Sequence, residues 1–181
     1  MSKIGLKVIK FEKAVIDIDG KKLSIKGPKG HLDHVLPEGI VAIVEQKVLK
    51  VRPETEERTR AVNIAWGMSR ASLANKIKGV ETGFETKINI VGLGYKAVLS
   101  GKNLNFSLGF SHKIDLEIPE GLSVNVSKTG QEILVSGIDK LEIGNFCATV
   151  KAFRPVEPYK GTGVFVEGDK IHRKAGKAKK S

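Results

Sequence analysis

The feature that most constrains this chain is that part of it is written twice. Gly20-Lys21-Lys22-Leu23-Ser24-Ile25 returns as Gly101-Lys102-Asn103-Leu104-Asn105-Phe106 at an offset of 81 residues. Leu36-Pro37-Glu38-Gly39-Ile40 returns as Ile118-Pro119-Glu120-Gly121-Leu122 at an offset of 82, and Val48-Leu49-Lys50 as Ile133-Leu134-Val135 at an offset of 85. An offset that drifts without breaking means two tandem copies of one unit separated by small insertions. Each copy must then bury its own core with its own strands and helix.

The first copy shows what the unit is. Val15, Ile16 and Ile18 lead to Asp19-Gly20, a strong hairpin turn, and Leu23 and Ile25 alternate with polar residues on the return strand. Further strands are expected at Leu32–Leu36, Ile40–Val44 and Val48–Val51, the last ended by Pro53. The period then changes. Thr55 is expected to cap a helix, with Glu56 and Glu57 in its first turn. Val62, Trp66, Leu73 and Ile77 share one face at helical spacing, and Ile64, Ala65, Met68 and Ala71 widen the stripe. Gly79 is placed to stop it. Trp66 and Met68 read as core.

In the second copy Phe84–Ile90 is a strand. A helix opens at Asp139 with Glu142 three residues on, as in a capping box, and carries Ile143, Phe146, Cys147 and Val150 inward. Arg154 before Pro155 ends it. Strands followed by a helix in each copy predict an α+β fold: two tandem similar domains, each an antiparallel sheet with one helix on a face. The expected division is residues 1–82, residues 83–158 and a basic tail at 159–181.

Charge narrows the function. The net charge of +11 is concentrated at the ends. Residues 1–30 hold 8 Lys/Arg against 3 Asp/Glu and residues 159–181 hold 7 against 2, while residues 83–158 hold 8 of each. Cations gathered this way point to a polyanion, nucleic acid first and an anionic membrane surface second. Lys170–Ser181 holds six cations and no acid, and is expected to order on its partner. No apolar run approaches the ~18 residues of a membrane span. The first ten residues lack an apolar h-region, so no signal peptide is expected. A single cysteine, Cys147, excludes an intramolecular disulfide and fits a reducing compartment.

Ahead of the tail, Arg154–Gly163 combines two prolines, the Tyr159 ring, the Lys160 cation and two glycines, Gly161 and Gly163. A stiff backbone with a stacking face, a charge and room for close approach suits an RNA surface. The alternative chemistry is weaker. Gly92-Leu93-Gly94-Tyr95-Lys96-Ala97 fits G-x-G-x-x-A, and a nucleotide-dependent oxidoreductase would use Gly92 and Gly94, but the following Val98-Leu99-Ser100 reads as a strand. His31 and His34 point to opposite faces of a strand, which argues against a metal. Cys147 on the apolar stripe is an inert core thiol. No spacing supports catalysis, so neither a cofactor nor a small-molecule substrate is expected. A two-domain adhesion or scaffold module would bring paired cysteines or a secretion signal.

Several motifs together carry a family resemblance. They are Met1-Ser2-Lys3-Ile4-Gly5, Gly27-Pro28-Lys29-Gly30, Gly92-Leu93-Gly94-Tyr95-Lys96, Gly109-Phe110-Ser111-His112, Val135-Ser136-Gly137-Ile138-Asp139-Lys140 and Glu157-Pro158-Tyr159-Lys160-Gly161. In this order, and with two similar halves, the chain resembles the bacterial large-subunit ribosomal protein six family over nearly its whole length. The resemblance implies a non-enzymatic, cytoplasmic ribosomal constituent that binds large-subunit ribosomal RNA. It would lie near the base of the factor-binding stalk and the sarcin–ricin loop, beside neighbouring large-subunit proteins. It further implies RNA contacts at Tyr159, Lys160, Gly161, Gly163, Arg173, Lys174 and Lys177, with Lys96, Ser111 and His112 as further contacts. Many members carry lysine where this chain has Thr162, which implies that one phosphate either goes without an ammonium partner or takes a hydroxyl hydrogen bond instead.

Overall fold

The protein is described from a computed structural model that covers residues 2–55 and 59–174. It divides into two compact units that change over after Gly83, apart from the short stretch Ile138–Lys140, which groups with the first. Both are α+β, as the tandem copies predict.

In the first unit, β2 (Val15–Asp19), β3 (Lys22–Gly27) and β4 (Gly30–Val35) form one antiparallel sheet. A short β1 (Ile9–Lys10) lies beside β6 (Val48–Pro53), which pairs with β5 (Ile40–Glu45) in a second sheet. The helix α1 (Arg60–Thr82) covers both sheets. Leu23, Ile25 and Leu49 and the helix residues Leu73 and Val80 are fully buried in the shared core. The Trp66 indole joins the layers, its Nε1 donating to the Val51 carbonyl at 2.6 Å.

The helix differs from expectation at both ends. Its N-cap is Thr59, whose hydroxyl accepts from the Val62 amide at 3.3 Å; Thr55 is outside the helix. The apolar stripe starts at Val62, and Thr59 stands three residues before it, the spacing a capping hydroxyl needs. Glu56 and Glu57 lie outside the described residues. The helix also runs past Gly79, because Val80 continues the stripe, and it stops at Gly83, with φ of +77°. A glycine that reads as a stop is overridden by one more turn of apolar burial. Met68 and Ile64 face solvent, so only Trp66 of the expected Trp66–Met68 pair is core.

Glu81, at the end of α1, accepts backbone amides from Glu12 and Lys13 at 2.8 Å and from Ala14 at 3.1 Å. Partial burial raises its pKa, but the three amides outweigh that and bring it below 4.5. A carboxyl with a depressed folded pKa adds stability above its unfolded pKa and loses it as pH falls through the folded one. Glu81→Gln should therefore destabilise the protein by about 1 kcal/mol at neutral pH, given solvent screening. Urea melts should show the gap between the two proteins closing as pH falls below the carboxylate range. An equal gap at all pH values would leave the charge without a part.

The second unit repeats this plan. One sheet has β8 (Lys96–Ser100), β9 (Asn103–Ser107) and β10 (Ile114–Glu117). The other places β11 (Leu122–Val126) beside β12 (Glu132–Gly137) and β12 beside β7 (Phe84–Val91). The helix α2 (Lys140–Phe153) opens directly after Asp139, where the sequence predicts the cap. It contributes Ile143, Phe146, Cys147 and Val150 to a core with Ile88, Leu104, Phe106 and Ile133.

The unit has one element beyond the repeat. Gly163–Val166 forms β13, antiparallel to the free edge of β7, with Val164 fully buried. The sequence reading assigns these residues to a tail. They are the fourth strand of a sheet in the order β11-β12-β7-β13. The cause is a short apolar run, Val164-Phe165-Val166, that can pair with an edge otherwise left open.

Candidate nucleic-acid interface

Four segments meet at one end of the second unit: the turn from β7 to β8, the loop from β9 to β10, the C-terminus of α2, and the chain leading into β13. Strand register puts them there. Gly163 pairs with Val91, the last residue of β7, and Lys96, the first of β8, pairs with Ser107, the last of β9.

The segment after α2 is a folded arm. The Val164 amide donates to the Arg154 carbonyl at 2.8 Å, that of Glu157 to the Thr162 carbonyl at 2.8 Å, and that of Gly161 to the Glu157 carbonyl at 3.0 Å. The chain then turns back, and the Lys174 amide donates to the Pro158 carbonyl at 2.8 Å. Asp169 secures the return. It accepts from the Lys151 ammonium at 2.7 Å and the Val166 amide at 3.1 Å, and the hydrogen bond from Lys151 holds its carboxyl below the usual range. Residues 159–174 are thus packed on the second unit and do not form a free tail.

Both glycines of the arm have internal reasons. Gly163 has φ of +141°, and a Cβ there would lie 2.7 Å from Val156 Cα and 2.8 Å from the Pro155 carbonyl oxygen. Gly161 has φ of +72°, and its Cβ would lie 2.8 Å from the Arg173 guanidinium. In each case the close approach that glycine allows is made by the chain itself. The Thr162 hydroxyl is also engaged, donating to the Glu157 carboxylate at 3.2 Å.

The cations and rings remain open. Tyr159 is 57% exposed, and Lys160, Arg173 and Lys174 are exposed. Ser111 and His112 are exposed in the β9–β10 loop, and Lys96 at the start of β8. The structure gathers these expected residues at one end. Lys177 lies outside the described residues.

Two residues outside the expected contact set also take part. The Arg154 guanidinium lies 5.2 Å from the centre of the Phe110 ring, and the His112 ring is 6.3 Å from Phe110. A cation held over a ring at this range is attracted to its π face. This contact ties the Gly109–His112 loop to the end of α2. Two sequence signals mark it: a phenylalanine inside a polar Gly-Phe-Ser-His loop, and an arginine directly before a proline.

Other candidates resolve differently. Gly92 through Ala97 runs into the strand β8, so no helix N-terminus stands there to hold a pyrophosphate. A Cβ at Gly92 would overlap the Tyr95 ring, so that glycine makes room for a side chain. His31 and His34 both lie on β4. Burial first, and then the Lys76 cation, lowers the pKa of His34; the same cation opposes a metal ion there. Among the described residues no three His, Cys, Asp or Glu side chains gather as a metal site. Burial raises the pKa of the Cys147 thiol, as expected of an inert core cysteine.

Duplicated α+β units, the second ending in a cationic, ring-bearing surface, define the class: a two-domain tandem-repeat protein with a basic end face. Comparison with known families gives the particular member. A model described as ribosomal protein L6 matches residues 12–83 and again 91–167, once per unit. The chain belongs to the ribosomal protein L6 family. It is 43% identical over 180 residues to the large ribosomal subunit protein uL6 of Methylocella silvestris, covering 99% of this chain and 100% of that protein. It is 45% identical to the protein of the same name from Xanthobacter autotrophicus, with the same coverage. Against that of Syntrophomonas wolfei it is 46% identical, covering 98% of each.

Proposed function

We propose that this protein is a structural constituent of the large ribosomal subunit. It binds large-subunit ribosomal RNA through the end surface of its second unit, near the base of the factor-binding stalk and the sarcin–ricin loop. Neighbouring proteins of the stalk base are its other partners. The observation that carries this reading is the convergence of Lys96, His112, Arg154, Lys160, Arg173 and Lys174 at one end of one unit.

Roles follow from chemistry. The lysines and arginines neutralise phosphates and release counterions. Tyr159 offers a face for a base or ribose. Arg154, seated on Phe110, holds a fixed cation and loses less freedom on binding than a loose lysine. Backbone-directed contacts of this kind read the shape of folded RNA, in which base edges are hard to reach. The internal hydrogen bonds of the arm fix these groups in place before the partner arrives.

Photo-crosslinkers placed at Tyr159 and His112 in assembled large subunits test the reading. Crosslinks from both positions should map to the sarcin–ricin region and the stalk base. Crosslinks only to other proteins, or to RNA remote from both, would overturn the assignment.

A further inference from the structure

Leu93 is 102% exposed, the most exposed large apolar side chain among the described residues. It stands at the tip of the turn between β7 and β8, and that turn is well built. The Tyr95 amide donates to the Gly92 carbonyl at 3.3 Å, and the Ala97 amide to the Gly130 carbonyl at 2.8 Å. Gly94 takes φ of +74°. The Tyr95 ring fills the space beneath: a Cβ at Gly92 would overlap it, and one at Gly109 would lie 3.0 Å from it. A supported turn therefore holds a bare leucine out to solvent. Its base is Val91, which is partly exposed and pairs with Gly163 of the arm. The ring beneath it adjoins Gly109, which precedes Phe110 with its Arg154 cation.

Charge decides the kind of partner. From Thr86 to Ile114 there is no Asp or Glu; within that span Lys87 and Lys102 pair with Glu132 and Glu120, while Lys96, beside the turn, and Lys113, in the β9–β10 loop, are exposed. An apolar tip with cations and no acid in its sequence neighbourhood suits a polyanion with apolar faces between its charges. RNA has these in its riboses. The minor groove of an A-form helix is wide and shallow enough to admit a side chain, unlike its deep, narrow major groove.

The geometry points to the Gly92–Tyr95 turn as a second RNA subsite, in which Leu93 enters the shallow groove of an RNA helix and packs on ribose while Lys96 reaches a flanking phosphate. This rests on the reading that the end surface binds large-subunit RNA. It adds a contact of a different type, apolar and indifferent to salt.

The test titrates the full chain against protein-free large-subunit RNA over a salt series, with small-subunit RNA as comparison. Leu93→Ala should bind about tenfold more weakly, the loss expected for an apolar contact of this size. Its salt slope should equal the parent's, since no phosphate contact is removed. Its melting temperature should be unchanged, because Leu93 is fully exposed. Leu93→Lys should bind as weakly as Leu93→Ala at high salt, where an added charge is screened. Parent-like affinity of Leu93→Ala alongside weak binding by Arg173→Ala would overturn this subsite and leave the RNA reading standing. Normal RNA binding by Leu93→Ala, but poor retention in assembled subunits, would assign the turn to a protein neighbour and also overturn it. A parent chain with no preference for large-subunit RNA would remove the underlying reading itself.

Discussion

Gly163→Ala should lower the melting temperature by about 10 °C, corresponding to a loss of about 3 kcal/mol. Gly163 sits at φ +141°, a region that residues with a Cβ scarcely enter. The added methyl would meet Val156 Cα at 2.7 Å, the Pro155 carbonyl oxygen at 2.8 Å and the Arg154 carbonyl oxygen at 2.9 Å. All three are backbone atoms, so no rotamer change relieves them. The displaced residue is the first of β13, and the fully buried Val164 follows it. Gly161→Ala is the internal comparison. Its backbone is also left-handed, but its Cβ would meet the end of the Arg173 side chain, which can move. That variant should lose only about 1–2 kcal/mol. Calorimetry on both proteins checks the order; equal melting temperatures would mean that β13 adds little to the sheet.

Removing residues 175–181 should act on binding and leave folding alone. The segment carries Lys177, Lys179 and Lys180 and no acid. If each neutralises one duplex phosphate, the salt slope falls by about 0.9 per lysine, or about 2.7 for the three. Affinity for large-subunit RNA would then drop by about 500-fold at 0.1 M salt, and the difference would shrink toward nothing near 1 M. Filter binding across that range measures both quantities. A truncated chain with the parent's slope would mean that these lysines meet no phosphate.

Most of the fold was legible because the chain states it twice. Alternation through Leu23 and Ile25, and again through Leu104 and Phe106, placed strands whose inward residues are fully buried. The helical stripe through Trp66, Leu73 and Ile77 was equally plain. Ends were less legible, since Thr55 and Thr59 are the same residue type and only the distance to Val62 chooses between them. Gly79 and Gly83 are separated by whether Val80 is buried, which is a tertiary fact.

The expected site residues that the structure describes were gathered at one end, but what holds them there was hidden. Val164-Phe165-Val166 is too short a run to declare itself a strand between two glycines and a basic stretch. Its partner is the far edge of β7, more than seventy residues earlier. The Arg154–Phe110 contact is non-local for the same reason. Basic composition then made a folded arm resemble a free tail.

β13 also explains why two copies of one fold need not share one task. The chain leaving α1 must go straight on into β7, so its course is already committed to continuity. The chain leaving α2 does not run on into a strand of a new sheet; its next strand is β13. It is at liberty to wrap back, close the open sheet edge and carry a cationic arm with it. Asymmetry between the two copies thus arises from where the chain goes after each helix: after α2 it pairs with an open sheet edge, and cationic chemistry is attached there without interrupting either core.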